Sequence, residues 1–276
     1  MRADRRAAAL AGAAARLAAA VLPLGALCAG IGALAGGGTG ALAGLAAAVV
    51  TVAVVSAYCD RLALSAMAAR PVSEVEHPEL YRLVRELSKA GRLPVPRLFL
   101  SPAEQPNSFT AGRNPRGAAI CCTEGLLAAL DEAELRGVLG HELAHVSGRD
   151  ILPATITAGL AAVLTFPAVA ARPLMLVLGP PAALVVRLSV TREREYRADT
   201  AGALLTGDPV VLASALRKIE SGAAELAQAA DARLSSVAHL MIVSPFHPGG
   251  LARLFATHPP AGERLRRLEA LAGYRR

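Results

Sequence analysis

Hydrophobic residues are concentrated in two long blocks of the chain, and the segments between and after them are polar. The first block, residues 17–59, contains no charged residue over 43 positions. A helix needs about 20 apolar residues to cross a bilayer, so this block is long enough for two. The glycine-rich stretch 36–40 divides it near the middle and favours a turn. The pattern predicts a hairpin of two membrane helices, at about 17–35 and 41–59, within an N-terminal segment 1–71.

The second apolar block covers residues 151–190 and is interrupted by Arg172 and Arg187. Residues 151–171 are uncharged and long enough to span a bilayer. The remainder, 173–190, can be a span if Arg187 extends its charged end to the interface, as long basic side chains do. A re-entrant or interfacial segment is the competing interpretation. We predict a second hairpin here, and therefore about four membrane helices in a mainly α membrane protein.

The two polar segments, residues 72–150 and 191–276, carry the patterns of a mixed α and β domain. Residues 78–90 have apolar positions at helical spacing. Three short strands are predicted at 97–100, 107–111 and 118–122, and a glycine-containing turn joins the last two into a hairpin. The later polar segment is mostly helical. These segments predict one α+β domain in two parts, with the second apolar block between them.

The net charge of +7 comes mostly from arginine and indicates how the first hairpin is oriented. Basic residues lie before the first predicted span and after the second, whereas the loop between them is uncharged: Arg2, Arg5, Arg6, Arg16, Arg61 and Arg70. The positive-inside rule places both ends of the hairpin, and the polar domain, in the cytoplasm. Aromatic and basic residues do not interleave as they do on nucleic-acid surfaces. We expect contact with the lipid bilayer and no nucleic-acid partner.

A metal-binding motif lies just before the second apolar block, in His141-Glu142-Leu143-Ala144-His145. The two histidines are four residues apart, so on a helix both imidazoles face the same side and reach one metal ion. Zinc suits this geometry, and Glu142 is then placed to take a proton from a zinc-bound water. The motif therefore predicts the core of a zinc peptidase.

The helix that carries the motif has its own start and stop signals. A capping box is predicted to begin at Asp131, and Gly148 is expected as the C′ glycine, so the helix covers about 132–147. Gly137 and Gly140 lie inside it, and each costs roughly 1 kcal/mol relative to alanine. We interpret them as part of a strip of small residues that lets another backbone approach closely.

A catalytic zinc site needs a third protein ligand. The candidates after the motif are acidic and imidazole side chains, namely Glu193, Glu195, Asp199, His239, His247 and His258. Glu195 and Asp199 are four residues apart on a predicted helix and share a face. One carboxylate can then bind the metal while the other hydrogen-bonds a ligating histidine. An exposed, charged helix face is the competing interpretation of this segment.

Together with the metal motif, several other segments resemble the HtpX family of membrane-embedded zinc endopeptidases, which are related to the CaaX prenyl protease. They occur in that family's order and are Asn107-Ser108-Phe109, Gly112-Arg113-Asn114-Pro115, Glu195-Tyr196-Arg197-Ala198-Asp199 and Thr257-His258-Pro259-Pro260 with Arg264. The resemblance covers essentially the whole chain. The family often has alanine at Ser108 and threonine at Ala111, and we expect these departures to affect substrate contacts at most.

The resemblance implies a zincin-like catalytic domain with one Zn²⁺ per chain. His141, His145 and Glu195 would be the metal ligands, and Glu142 would be the general base. It also implies hydrolysis of peptide bonds on the cytoplasmic side of a cell inner or plasma membrane, in a multi-pass protein. Quality control of membrane proteins or a stress response would be its setting.

Three further residues acquire roles from the resemblance alone. Asp199 would support a ligating histidine, His258 would contact the oxyanion of the tetrahedral intermediate, and Arg264 would support the local network. The other histidines match no part of the family's pattern: His77, His239 and His247.

Polypeptide substrates, as misfolded or membrane proteins, are expected to pair with the edge of the small sheet. Main-chain hydrogen bonds to an edge strand bind extended peptides with little regard to their sequence. We place this contact in the hairpin 107–122, through Asn107, Phe109, Ala118 and Ala119.

Two other classes of protein fit parts of the sequence. A membrane-bound zinc-binding sensor without turnover would share the metal motif, but metal binding alone does not need the base that Glu142 provides. A channel or transporter would place ionisable groups inside its spans, and the first apolar block has none. We therefore expect a zinc metalloendopeptidase.

Overall fold

The computed structural model describes residues 2–148, 151–228, 230–246, 249–250, 252–255 and 257–273. It is mainly helical with one small sheet, as predicted. The helices are α1 (Arg2–Ala66), α2 (Pro78–Gly91), α3 (Glu124–Ala129), α4 (Glu132–Ser147), α5 (Ile151–Thr165), α6 (Pro167–Ala170), α7 (Met175–Ser189), α8 (Arg192–Thr206), α9 (Pro209–Glu225), α10 (Ala232–Val237), α11 (Ala252–Phe255) and α12 (Ala261–Gly273). The strands are β1 (Arg70–Pro71), β2 (Arg97–Ser101), β3 (Ser108–Ala111) and β4 (Ala119–Thr123).

Helix α1 is interrupted near its centre, where the chain reverses direction. The backbone leaves the helical conformation at Gly36 and at Gly37, whose φ is 60°, a value that glycine adopts without strain. A Cβ atom added to Gly32 would collide with the carbonyl of Gly40. In a continuous helix these two residues would be about 12 Å apart. The two arms of α1 therefore run back along each other in close contact.

Within the described residues, Leu17–Ala66 is the helical segment that is by itself long and apolar enough to cross a membrane. The second apolar block forms the 15-residue helices α5 and α7. Fifteen residues rise only about 22 Å, against a hydrocarbon core of about 30 Å. Helix α7 is long and apolar enough to cross a membrane only if it is joined with α8, and the two helices are bent by 52° relative to each other. The four expected membrane helices are therefore not established, because the chain between Thr165 and Met175 breaks the block into short pieces.

The four strands form one sheet in the order β1-β2-β4-β3. Strands β2 and β4 are parallel, and β3 runs antiparallel to β4 with Ser108 opposite Cys122, which confirms the predicted hairpin. Successive side chains on a strand point to opposite faces. Cys122 accordingly packs in the core formed with α2, α4 and α9, and Cys121 packs in the core on the other side, formed with α5 and α10. The sheet is covered on both faces, and β3 is an edge strand.

Helix α5 connects the apolar region to the sheet. It packs against α1, α7 and α10, and most of its residues are buried. The hydroxyl of Thr155 accepts a hydrogen bond from the N–H of Gly112 at 3.0 Å, directly after β3. The apolar helices are therefore part of the same packed unit as the strand beside the metal motif.

Helix α4 begins with the predicted capping box. The Asp131 carboxylate accepts a hydrogen bond from the N–H of Glu134 at 2.9 Å, and the Glu134 carboxylate accepts one from the N–H of Asp131 at 3.1 Å. The helix ends at Ser147, as expected. The expectation of a C′ glycine at Gly148 is wrong: this residue is the C-cap, and its φ of −71° lies in the right-handed region that any residue adopts.

Helix α8 crosses α4 so closely that only glycine fits at the contact. A Cβ atom on Gly202 would lie 2.7 Å from the backbone nitrogen of His141, and one on Gly140 would lie 3.2 Å from the carbonyl oxygen of Gly202. Gly137 faces the backbone of Leu212 on α9 in the same way. The small-residue strip predicted on the motif helix is confirmed as the surface on which α8 and α9 pack.

Replacing Gly202 by alanine is expected to destabilise the protein by about 1–3 kcal/mol, the usual penalty for overpacking a core. The added methyl group cannot fit against the His141 backbone unless α8 moves away from α4. Gly262→Ala in α12 is the matched control, because its methyl group would meet only the end of the Arg266 side chain, at 3.9 Å. Thermal unfolding compares the two variants, and a Gly202→Ala midpoint equal to that of the wild type would contradict this packing.

Candidate active site

Three buried side chains from two helices converge where α4 and α8 cross. His141 and His145 come from α4 and Glu195 from α8, and none is more than 3% exposed. The Nε2 atoms of the two histidines are 3.2 Å apart. The carboxylate oxygens of Glu195 lie 3.7 Å from Nε2 of His141 and 3.8 Å from Nε2 of His145. The structure thus brings together the three residues that the sequence analysis assigned to a metal.

The arrangement of these atoms suits a tetrahedral metal ion. Ligand atoms about 2.0–2.1 Å from zinc at tetrahedral angles are about 3.3 Å apart, close to the distances found. Oε2 of Glu195 is buried without a hydrogen-bond partner, which is unfavourable for a carboxylate unless a cation compensates it. Burial lowers the pKa of His145 well below its ordinary value and keeps the imidazole in the neutral form that binds metals. The residues present therefore fit a zinc ion.

A chain of hydrogen bonds orients His141. Its Nδ1 lies 2.9 Å from Oδ1 of Asp199, one helical turn after Glu195. Arg264 of α12 donates to both oxygens of Asp199, at 2.8 and 2.7 Å, and to the carbonyl of Ile242 at 2.6 Å. Burial alone would raise the pKa of Asp199, but the Arg264 guanidinium outweighs it and holds this pKa below its ordinary value. The ionised carboxylate keeps a proton on Nδ1 of His141, which leaves Nε2 free for a metal.

Glu142 is enclosed beside the histidines and held by two hydroxyl groups. Ser108 donates to Oε1 and Thr110 to Oε2, both at 2.6 Å. Burial raises the pKa of Glu142, although the charge of His141 and these hydrogen bonds oppose the shift. The expectation that Ser108 affects substrate contacts at most is wrong, because its hydroxyl contacts the motif glutamate. Alternate residues of a strand share a face, so the spacing of Ser108 and Thr110 is the signal that sequence reasoning missed.

His258 lies within electrostatic range of Glu195 but does not present a donor to the ligand group. Its Nε2 lies 3.0 Å from the carbonyl oxygen of Ala238, so Nε2 carries the ring proton. Its Nδ1 is buried without a partner and is an acceptor when the ring is neutral. Burial lowers the pKa of His258, while the charge of Glu195 raises it. The neutral ring can donate to an oxyanion only by giving up its contact with Ala238.

Neither of the other two described histidines belongs to the ligand group. His77 lines a surface cavity beside the start of α2. His239 is buried, with Nε2 3.1 Å from the carbonyl oxygen of Ala154. His247 lies outside the described residues.

The residues expected to bind substrate are buried in and beside the sheet. Strand β3 is at the edge, as expected, but the N–H of Ile242 donates to the carbonyl of Ser108 at 3.0 Å and covers part of that edge. The side chain of Asn107 donates to the carbonyl of Val243 at 2.9 Å, and Phe109 is 1% exposed.

The edge-strand assignment is wrong for Ala118 and Ala119. Ala119 belongs to β4, which pairs with β2 on one side and with β3 on the other. Ala118 precedes it, and its carbonyl accepts a hydrogen bond from the N–H of Arg97. Both alanines are fully buried, because β4 is an interior strand, so neither offers a free backbone edge to a peptide.

Comparison with known proteins finds a family match over most of the chain. Residues 74–272 match the model of a protein family described as Peptidase family M48. That range includes both histidines of the ligand group, Glu142, Glu195 and the Asp199–Arg264 pair.

Several similar proteins have the name protease HtpX homolog. A protease HtpX homolog of Kineococcus radiotolerans is 53% identical, with 78% of this chain and 80% of the relative covered. A protease HtpX homolog of Paenarthrobacter aurescens is 50% identical, with 78% and 79% covered, and one of Bifidobacterium longum is 43% identical, with 78% and 77% covered. On the strength of the family match and of these relatives, this chain belongs to peptidase family M48 and, within it, to the HtpX proteases.

Proposed function

We propose that this protein is a zinc-dependent endopeptidase, embedded in the membrane, that cleaves polypeptides on the cytoplasmic side. The proposal is carried by the buried group of His141, His145 and Glu195 with the Glu142 carboxylate beside it. A zinc-binding sensor would use the same three ligands. It would have no use for a buried carboxylate that two hydroxyl groups hold in place.

Each residue of the site contributes a separate function. Zinc held by the two histidines and Glu195 would supply Lewis acidity toward water and a peptide carbonyl. Asp199, fixed by Arg264, sets the tautomer of His141 and so the direction of its lone pair.

Glu142 is the proton carrier of the proposed reaction. Its burial raises its pKa, and a carboxylate with a raised pKa is a stronger base and, once protonated, an acid closer to neutrality. It accepts a proton from the attacking water and donates one to the leaving amine. Ser108 and Thr110 hold both of its oxygens at 2.6 Å, so little reorientation is needed during proton transfer.

The chain around Met241 covers the outer edge of β3, next to the strand residues that hold Glu142. The bond between Ile242 and Ser108 occupies the edge of β3 that an extended peptide would use, and Phe109 is bridged to Met241. We infer that a polypeptide displaces this segment and pairs with β3. Unfolded segments suit such a site, because strand pairing reads the main chain rather than particular side chains. Misfolded or membrane proteins are the proposed substrates.

The surface of α1 supports the membrane location. Large apolar side chains of both arms are exposed, including Leu34 at 92% and Leu42 at 70%. Soluble proteins rarely expose so extended an apolar surface, and a bilayer would cover it. The arginines that flank the first apolar block favour a cytoplasmic position for the catalytic domain by the positive-inside rule.

Glu142→Gln is expected to retain zinc and to lose at least about 100-fold in the rate of casein cleavage, the lower range for removing a general base. Glutamine keeps the shape of the side chain but cannot accept the proton. Glu132→Gln is the matched control, since Glu132 lies on the same helix with its side chain 57% exposed. Zinc content and initial rates of the purified protein are measured together, and undiminished cleavage by Glu142→Gln would refute the assigned base.

Glu195→Gln is expected to weaken zinc binding by more than the roughly 10–100-fold typical of a residue that only supports a ligand. The reason is that an amide replaces the one anionic ligand of the site. Competition with a chromogenic chelator measures the affinity, and Glu193→Gln serves as the control because Glu193 is exposed two residues earlier. Equal zinc affinity in the two variants would exclude Glu195 as a ligand.

Cysteine labelling in intact cells tests the proposed topology. Thr39→Cys lies at the reversal of α1 and is expected to react with a membrane-impermeant maleimide added outside, whereas Lys89→Cys on α2 should react only after permeabilisation. Both positions are exposed. The unsubstituted chain, with three of its four native cysteines buried, gives the background. Labelling of Lys89→Cys in intact cells would contradict the proposed orientation and indicate the opposite one.

A further inference from the structure

Arg194 is a buried arginine, and two of its three guanidinium nitrogens have no hydrogen-bond partner. It is 3% exposed, and its Nε and Nη1 atoms have no hydrogen-bond acceptor. No ion pair involving it is found within the described residues. A guanidinium group stays protonated in proteins, and an uncompensated buried charge is strongly unfavourable. Among the described residues, therefore, no ion pair compensates the charge of Arg194, and its Nε and Nη1 donors are unused.

The position of Arg194 on its helix adds to the imbalance. It is the third residue of α8, in the first turn, and the preceding N-cap residue Thr191 makes no side-chain cap. The N-terminal end of a helix carries partial positive charge and favours anions. A cation buried there is opposed both by desolvation and by the helix dipole, and an anionic ligand would relieve both effects.

Arg194 lies within electrostatic range of the histidines at the site. It directly precedes Glu195, and its charge, after burial itself, contributes most to lowering the pKa of His145 and also lowers that of His258. His239 is affected in the same way. The Nδ1 atoms of His239 and His258 are buried without partners, and in neutral rings they accept rather than donate, since Nε2 of each ring faces a carbonyl. A bound oxygen anion would thus find its permanent donor in Arg194.

We propose that Arg194 binds a negatively charged carboxyl oxygen of the polypeptide. This oxygen is either the oxyanion that develops at the scissile carbonyl or the carboxylate that hydrolysis leaves on the N-terminal product. The inference rests on the proposed endopeptidase function. Hydrolysis consumes one water and yields one carboxylate and one amine, so a site that stabilises the charged oxygen needs no other reactant.

Substitution of a ligand-binding residue and substitution of a residue that only stabilises the fold have different measurable effects. Arg194→Met removes the charge and retains most of the side-chain volume, and Arg194→Lys retains the charge without the planar donor pair. Arg192→Met is the matched control, because Arg192 is exposed in the same helical turn. We expect Arg194→Met to keep its zinc and to unfold at a temperature equal to or above that of the wild type. Its kcat/KM on casein should fall by about 10–100-fold, the range for losing a hydrogen bond to a charged group.

Two measurements separate the sources of the oxygen. A loss confined to kcat, with KM unchanged, identifies the oxyanion. Binding of fluorescein-labelled penta-alanine to zinc-loaded protein in the Glu142→Gln background tests the product carboxylate. Adding Arg194→Met should then weaken the peptide with a free carboxylate about 10–100-fold and leave the C-terminally amidated peptide unchanged. Arg194→Lys should restore part of either effect, and Arg192→Met should show neither.

A structural role predicts different results. If Arg194→Met lowers the unfolding temperature and the zinc content together, or if Arg194→Lys fails to fold, the arginine serves the fold and the inference is overturned. It is also overturned if Arg194→Met leaves both kcat/KM and carboxylate affinity at wild-type values. A wild-type protein that binds no zinc or cleaves no unfolded protein would instead refute the proposed function.

Discussion

The close crossing of α4 and α8 is the contact on which the rest of the site depends. Gly140 and Gly202 let the two backbones touch, and each glycine inside a helix sacrifices roughly 1 kcal/mol of helix stability relative to alanine. In return the start of α8 reaches the two histidines of α4. Without that approach Glu195 and Asp199 would be charged side chains on an exposed helix face, which is the alternative that the sequence left open.

Buried charge is the second constraint, and the fold handles it in three ways. The negative charge of Asp199 is neutralised by a bidentate ion pair with Arg264. Glu142 is compensated by two hydroxyl donors and is shifted toward its protonated form by burial. Glu195 and Arg194 are left with unpartnered atoms, which is consistent with sites completed by a metal cation and by an anionic ligand. A buried polar atom without a partner is unfavourable in the unliganded protein, and this cost is the basis for proposing a ligand at each group.

The apolar helices and the site are structurally connected. Helix α5 packs against α1 and α7, and its Thr155 hydroxyl holds the backbone at Gly112. Strand β3 ends one residue before that contact and carries the two hydroxyls that hold Glu142. Arg264, in turn, binds the carbonyl of Ile242, whose N–H covers the edge of the same strand. The positions of Glu142, the strand and the covering segment are therefore coupled through a few hydrogen bonds.

Local signals in the sequence determined the motif helix with its capping box, the hairpin of β3 and β4, and the glycine strip. They also made Glu195 and Asp199 candidates for the metal site. Spacing along one element is sufficient for these features, because it sets which side chains share a face. Tertiary structure alone decided the rest. It placed the hydroxyls of Ser108 and Thr110 against Glu142 and turned Nε2 of His258 toward Ala238. It also made β4 an interior strand, divided the second apolar block into several short helices and buried Arg194. These features depend on contacts between residues far apart in the chain, and no periodicity within one segment encodes such contacts.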